Sequence, residues 1–261
     1  MNSNVLIISN QITVFAGYMP DVGLHSHYTA VLVFSLEGEP IAVAGEGGEW
    51  SGYARYFLHP DVLNKMRNHD QLIGCVFFEP ESSLYSQFIK GKDLGREGLV
   101  EYVEPLEDLV ALMKGYFQAP NNTDAFIQSV VSCLMGAMDC SNVLEGDLRV
   151  DEVSKEIKRD LAANASAMEL ANLVNISERQ LSTLFKRQLG VPIRRYRQWL
   201  RLKEVARLVG EGQNLTDAAL NAGFSDSAHF SNTCRKMLGV KPTDLLLSNM
   251  PLMLYASSDC V

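Results

Sequence analysis

The C-terminal part of the sequence contains one pattern twice, 49 residues apart. The strings Leu189–Val191 and Leu238–Val240 are identical, and Ser182 matches Ser231 at the same offset. Self-similarity at a fixed spacing indicates that one supersecondary unit has been repeated. The periodicity around both copies is helical. The duplication therefore restricts this region to a fold made of two similar helical units.

The first copy carries the start and stop signals of two short helices. Ser166 followed by Glu169 predicts a capping box, so a helix begins near residue 167. It ends at Asn175, a residue type that tolerates left-handed backbone. Ser177 caps a second helix, which ends at Gly190. The sequence therefore predicts two helices joined by a tight turn.

The second copy repeats this arrangement. A helical run ends at Gly223, and after the turn Phe224–Asp226 another helix, SAHFSNTCRKML, ends at a glycine. Ala219 stands four residues before Gly223, as Ala171 stands four before Asn175. A small residue at that place lets two helices approach closely, which favours a pair of helix-turn-helix units.

The second helix of each unit has one apolar and one polar face. Leu181, Leu184 and Phe185 predict the buried stripe in the first unit, and Phe230 and Cys234 predict it in the second. The opposite faces are short, polar and partly basic, which suits a helix inserted into a DNA major groove. Any amphipathic helix has a polar face, so the duplication carries this interpretation. The residues predicted to face DNA on these two helices are Arg179, Ser182, Thr183, Lys186, Arg187, Ala228, Ser231, Asn232 and Arg235.

A basic helix is predicted between the two units, over Pro192–Val209. Its 18 residues span about 27 Å at about 1.5 Å per residue. With the turns at either end, this length could hold two reading helices about 34 Å apart, the distance between successive major grooves. A solvated basic face is the alternative interpretation. The residues expected to contact phosphates are Arg194, Arg195, Arg197 and Arg201.

The N-terminal part follows a different pattern. Residues 1–104 contain many short runs rich in Val, Ile, Phe and Tyr, separated by turn residues, which predicts a mainly β barrel or sandwich. Residues 105–140 then change to helical periodicity. These helices are apolar on more than one face, so they pack either on their own sheet or on a second copy in a homodimer.

Charge separates the two parts of the chain. Residues 150–248 carry 15 Lys and Arg against 11 Asp and Glu, a net charge of +4, whereas the rest carries 8 against 20, a net charge of −12. Opposite signs in two regions indicate that the basic region meets a polyanion. We place a linker at residues 141–150, the basic domain at 151–248 and a C-terminal tail at 249–261.

Other sequence features narrow the class of protein. No stretch approaches the roughly 20 apolar residues of a membrane span, and the N-terminus lacks the pattern of a signal peptide, so a cytoplasmic location is predicted. The five cysteines show no paired spacing and are expected to be reduced and buried. The sequence carries no Gly-rich phosphate loop and no HExxH motif, so no catalytic residue and no cofactor is expected.

Residues 151–248 resemble the DNA-binding domain of the AraC family of bacterial transcription regulators. The positions that carry the resemblance are Leu170-Ala171, Ser177, Leu181, Leu184-Phe185, Gly190, Tyr196, Arg201-Leu202, Gly223-Phe224, Phe230-Ser231 and the LGVKP string ending at Pro242. The resemblance implies an all-α domain of seven helices that binds double-stranded promoter DNA. It also implies an activator that contacts RNA polymerase. The chain departs from the family at Thr183 and Asn232, where arginine is frequent, and at Cys234, where phenylalanine is frequent. The missing arginines imply a DNA affinity that depends on dimerisation or an effector.

The N-terminal domain resembles the small cupin-like barrel that often precedes this DNA-binding domain, which implies a sensing or oligomerising role with a small-molecule effector. His25 and His27 resemble the HxH pair of a metal cupin, but no Glu follows them and Lys65 stands where a third histidine is expected. Two histidines without further ligands are more often structural or in contact with an organic ligand than bound to a metal, so no metal is expected. The alternative function is a metal-dependent cupin enzyme with an accessory nucleic-acid-binding domain.

Overall fold

A computed structural model describes residues 4–92, 98–136, 146–243 and 252–256 of the chain. The chain divides into two compact units, Met1–Val143 together with Cys234–Val261, and Leu144–Thr233. The C-terminal end of the chain therefore belongs to the same unit as its beginning. Residues 141–145 of the predicted linker lie outside the described residues.

The first unit is built around β-strands. Its described strands form a seven-stranded sheet in the order β10-β7-β4-β9-β2-β1-β11 and a four-stranded sheet in the order β3-β8-β5-β6. The pairs are antiparallel except that of β1 with β11, which is parallel. The strands are β1 Asn4–Ile8, β2 Ile12–Tyr18, β3 Val22–Ser26, β4 Ala30–Ser35, β5 Ile41–Ala44, β6 Ser51–Tyr53, β7 Arg55–Leu58, β8 Leu63–Arg67, β9 Leu72–Phe78, β10 Leu99–Glu101 and β11 Leu252–Ala256.

The middle of the larger sheet is covered on both faces. All six residues of β4 are buried, and the side chains of its first five residues alternate between two apolar clusters. Leu32 and Phe34 belong to the cluster that also contains residues of the helices, while Val31 and Val33 belong to the cluster that contains Met66 of the smaller sheet. This double coverage explains why the strand is a continuous apolar run instead of an alternating one.

Three helices pack on the larger sheet, α1 Ser83–Lys92, α2 Glu107–Gln118 and α3 Thr123–Met135. The helices expected within residues 105–140 are confirmed as α2 and α3, and their apolar faces lie in the core of their own unit. The expectation of strands throughout residues 1–104 is wrong at α1. Leu84 and Phe88, four residues apart, bury one face of that helix, which is the spacing of helical neighbours.

The second unit is helical throughout its described residues. Its helices are α4 Leu148–Arg159, α5 Ala167–Leu173, α6 Glu178–Leu189, α7 Ile193–Gly210 and α8 Leu215–Asn221. The next helix, α9 Ser227–Leu238, begins in this unit and ends in the first. Phe185 and Tyr196, both fully buried, meet edge to face at 5.4 Å and join α6 to α7. No helix in the described residues is both long and apolar enough to cross a membrane.

Candidate nucleic-acid interface

Both helices of the first helix-turn-helix begin with the predicted caps. The backbone N–H of Glu169 donates to Ser166 Oγ at 3.2 Å, and its carboxylate accepts from the Ser166 N–H at 2.6 Å. The same reciprocal capping box joins Ser177 and Gln180 at 3.3 and 3.0 Å. These bonds satisfy backbone donors that a helix leaves open at its first turn, which fixes where α5 and α6 start.

The turn after the first helix is the same in both helix-turn-helix motifs and has the same pair of hydrogen bonds. After α5, the N–H of Asn175 donates to Asn172 and that of Ile176 donates to Ala171. After α8, the N–H of Gly223 donates to Leu220 and that of Phe224 donates to Ala219. This pair of bonds defines a Schellman motif, which requires a left-handed residue. Asn175 at φ 53° and Gly223 at φ 90° supply it. The duplication that the sequence predicts is therefore present in the backbone.

Helix α6 presents the polar face that its sequence predicts. Leu181, Leu184 and Phe185 are buried, which confirms the apolar stripe. The opposite face carries five exposed residues, Arg179, Ser182, Thr183, Lys186 and Arg187. Thr183 Oγ1 donates to the carbonyl of Arg179 at 2.9 Å, so this hydroxyl is turned back on its own helix.

Helix α9 is laid out in the same way. Asp226 Oδ1 accepts from the N–H of His229 at 2.7 Å and caps the first turn. Phe230 and Cys234 are buried as predicted, and burial raises the pKa of the Cys234 thiol to about 12. Of the residues predicted to face DNA, Ala228, Asn232 and Arg235 are exposed and Ser231 is half-buried. Lys236 is also exposed, although the sequence pattern did not indicate it.

One arginine of α7, the helix between the two helix-turn-helix units, is buried and stabilises the structure. Arg201 is 5% exposed, and its guanidinium donates to the carbonyl of Leu161 at 3.0 and 2.8 Å and to Asn164 Oδ1 at 2.8 Å. Burial lowers the pKa of its guanidinium, and the nearby charge of Arg197 lowers it further. The prediction of Arg201 as a phosphate contact is wrong, because its side chain is buried and its Nε and Nη2 atoms donate to Leu161 and Asn164. The signal was in the sequence, since Arg201 precedes the apolar Val205 and Leu208 by four and seven residues, on the buried face of α7.

The other arginines of α7 keep some exposure. Arg194 is exposed, and Arg195 is half-buried. Arg197 is half-buried and donates to the carbonyl of Ala165 at 2.8 Å, and burial lowers the pKa of its guanidinium. The basic surface of α7 is therefore smaller than its sequence suggests.

His25 and His27 are brought together, and they contact each other. Their Nε2 atoms lie 2.9 Å apart, and His25 Nδ1 lies 2.8 Å from the carbonyl of Gly23. Because a carbonyl only accepts, His25 Nδ1 carries the proton, and in a neutral His25 the Nε2 atom accepts from His27. Burial lowers the pKa of His25, which favours this neutral form. Among the described residues, no cluster of three His, Cys, Asp or Glu has the geometry of a metal site.

The C-terminal helices match a known domain family. The family described as a helix-turn-helix domain matches residues 170–247. The HTH-type transcriptional activator RhaS of Citrobacter koseri is 29% identical over 110 residues, which cover 40% of this chain and 40% of RhaS. The C-terminal helices thus carry a helix-turn-helix domain of the AraC type, as the sequence resemblance predicts. The probable transcriptional regulator LumQ of Photobacterium leiognathi is 26% identical over 141 residues, which cover 52% of this chain and 57% of LumQ. The match thus spans only about half the length of LumQ.

Over 90% of its length the chain has the fold of a solved protein. A crystal structure of ToxT from Vibrio cholerae is similar with a TM-score of 0.58 and 14% identity, covering 90% of this chain and 97% of ToxT. Another, of a ToxT variant in its apo form, gives a TM-score of 0.60 at 12% identity and covers 90% of this chain and 96% of that one. This likeness confirms the predicted order of a mainly β domain, helices that follow it and an all-α C-terminal domain.

Proposed function

We propose that this protein is a sequence-specific transcription regulator that binds double-stranded promoter DNA in the bacterial cytoplasm. The observation that carries the proposal is the repeated Schellman turn, after Leu173 and after Asn221, each followed by a helix with an exposed polar face. A helix-turn-helix holds its second helix so that the polar face enters the major groove. Two such units in one chain can read two grooves.

The linker helix supports a two-groove arrangement. Helix α7 has 18 residues, Ile193–Gly210, and is thus about 27 Å long. With its flanking turns, it would place α6 and α9 about 34 Å apart, one helical repeat of DNA. In this proposal the α6 and α9 faces read bases, while Arg194, Arg195 and Arg197 add phosphate contacts that carry no sequence information.

The β-rich domain is proposed to control this binding, by sensing an effector or by forming a homodimer. One solved structure of ToxT contains a bound unsaturated fatty acid, which supports a small-molecule effector as the first class to test. The activator names of RhaS and RhrA support activation as the direction of regulation, and we propose that activation proceeds through contact with RNA polymerase. This function requires no catalysis and no cofactor.

The test begins with DNA selected by the wild-type chain from a random pool of duplexes. Binding to the selected duplex is measured by fluorescence anisotropy at several salt concentrations. We expect Arg179→Ala and Arg235→Ala each to weaken binding by about 5- to 150-fold if the side chain contacts a base, since such a contact contributes about 1–3 kcal/mol. A phosphate contact would instead lower the salt slope by about one.

A matched control removes a cation outside the proposed interface. Arg159 lies on α4 with its side chain 75% exposed, so Arg159→Ala changes the net charge equally without touching α6 or α9. If the wild-type chain selects no duplex, or if Arg159→Ala weakens binding as much as the other two variants, the proposed function is wrong.

A further inference from the structure

The second helices of the two helix-turn-helix units, α6 and α9, match in their last turn. Lys186 and Arg187 stand there in α6, and Arg235 and Lys236 stand at the same places in α9. All four side chains are exposed. A recognition helix reaches base edges with its N-terminal residues, so cations in its last turn suit the phosphate backbone. Phosphate contacts carry no sequence information, and the same cations therefore serve both helices.

The first half of each helix is different. Arg179 and Thr183 are the second and sixth residues of α6, whereas Ala228 and Asn232 are the second and sixth residues of α9. All four residues are exposed, and residues four apart share one face of a helix. The duplication therefore keeps the same chemistry where a helix meets phosphates and changes it where a helix meets bases.

The pair on α6 suits guanine and thymine. In the described part of the chain, no residue pairs with the guanidinium of Arg179, and a guanidinium donates two hydrogen bonds to O6 and N7 of guanine. The hydroxyl of Thr183 donates to the Arg179 carbonyl at 2.9 Å, so its methyl group is what remains for an outside contact. A methyl group packs on the methyl group of thymine.

The pair on α9 suits A·T base pairs. Ala228 has only a methyl group, which packs on thymine and cannot donate to guanine. Asn232 carries an amide, whose donor and acceptor fit N7 and N6 of adenine. No lysine or arginine precedes Arg235 in α9, so the first two turns of this helix have no cation for guanine.

We propose that the DNA site of this protein has two unlike halves. Helix α6 reads guanine through Arg179 and thymine through Thr183, whereas α9 reads A·T base pairs through Ala228 and Asn232. The last-turn cations of both helices bind phosphates. This inference rests on the proposed function and names the bases that each helix recognises. Because the two half-sites differ, a bound chain has one orientation on its DNA site.

The test compares the duplexes that the wild-type chain and Arg179→Ala each select from a random pool. The wild-type selection should contain two preferred segments about 10 base pairs apart, one with guanine and one with only A·T pairs. Replacing the preferred guanine should weaken wild-type binding about 5- to 150-fold. Arg179→Ala should lose this discrimination and keep the A·T segment. If Arg179→Ala selects the wild-type sequence in both segments, α6 does not read guanine through Arg179.

A double variant, Ala228→Arg with Asn232→Thr, gives α9 the pair that α6 carries. Both positions are exposed, so the fold should be kept, which thermal unfolding checks. The variant should select a duplex whose A·T segment is replaced by one with guanine. An unchanged segment in the folded variant would overturn the assignment of α9. If the double variant is unstable, Asn232→Ala decides instead, since it should lose only the preference for adenine.

The matched controls are Lys186→Ala and Arg235→Ala. Each should weaken binding to every duplex by the same factor, lower the salt slope by about one and leave the selected sequence unchanged. A change in the selected bases would contradict a phosphate contact. If the wild-type chain selects no duplex, the proposed function is wrong and this inference with it. If it selects a duplex with two identical half-sites, only this inference is wrong.

Discussion

The guanidinium of Arg201 donates two hydrogen bonds to the carbonyl oxygen of Leu161, at 3.0 and 2.8 Å. This contact joins the middle of α7 to the loop between α4 and α5. Gly223 lies beside it, since a Cβ atom there would be 2.9 Å from both Arg201 Nε and the Leu161 oxygen. The buried arginine therefore meets the loop that leads into the first helix-turn-helix and the turn within the second.

From this contact we predict that Arg201→Ala lowers the free energy of unfolding by about 2–3 kcal/mol, because bonds from a charged donor are lost and a carbonyl loses its partner. Arg201→Lys should recover only part of the loss, since an ammonium lacks the planar fork of a guanidinium. The matched control is Arg194→Ala, an exposed arginine of the same helix, with an expected change within about 0.5 kcal/mol. Urea unfolding followed by circular dichroism measures all three. Equal losses for Arg201→Ala and Arg194→Ala would contradict the structural role.

The two faces of α6 give a second prediction. Leu184 is buried, so Leu184→Ala should leave a cavity and destabilise its unit by about 2–5 kcal/mol. Arg179→Ala, on the exposed face, should change stability by less than about 0.5 kcal/mol. Thermal unfolding of the two variants beside the wild type provides the measurement. A comparable drop in Tm for both would mean that the faces of α6 are assigned incorrectly.

Features fixed by local chemistry could be predicted from the sequence. The capping boxes at Ser166 and Ser177 and the left-handed Asn175 depend on residues within a few positions, so they follow from the sequence alone. The position of Arg201 depends on Leu161, 40 residues away. The positive charge of Arg201 indicated an exposed phosphate contact, whereas its spacing from Val205 and Leu208 indicated the buried face of α7. The structure agrees with the spacing.

In the β-rich unit too, contacts between residues far apart in the sequence could not be predicted. Strand β11 follows β1 by more than 240 positions, and pairing over that separation leaves no local pattern in the sequence. Helix α1 was not predicted, because Leu84 and Phe88 lie in a short segment of the sequence between two strands, β9 and β10. The pairing of His25 with His27 could be suspected from the HxH spacing, because residues two apart on a strand share a face, but the hydrogen bond between their Nε2 atoms could not.

A third prediction concerns the turn after α5. Asn175 has a φ of 53°, where an L-residue with a Cβ is strained and asparagine is tolerated. Asn175→Ala should therefore destabilise by about 1 kcal/mol, while Asn175→Gly should be close to neutral because glycine adopts this backbone freely. Chemical unfolding distinguishes the two. If glycine were as harmful as alanine, the side chain of Asn175, not its backbone, would be the important feature.

The last prediction is a pH dependence of stability from His25. Burial lowers the pKa of His25 in the folded chain, and this outweighs the backbone hydrogen bonds of Gly23 and Asn64, which raise it. In the unfolded chain the pKa returns to about 6.5. Below that pH the unfolded chain binds more protons than the folded chain does, so stability falls as the pH drops from about 6.5 towards the folded pKa. The Tm of the wild type should thus decrease between about pH 7.5 and 5.5.

His25→Asn isolates this contribution, because an amide keeps a donor for the Gly23 carbonyl and does not titrate. Its Tm should fall less between the two pH values than that of the wild type. His69→Asn is the matched control: His69 is exposed, and asparagine tolerates its φ of 50°. It should retain the full wild-type decrease. Should His25→Asn lose as much stability on acidification as His69→Asn does, the pH dependence arises from other groups.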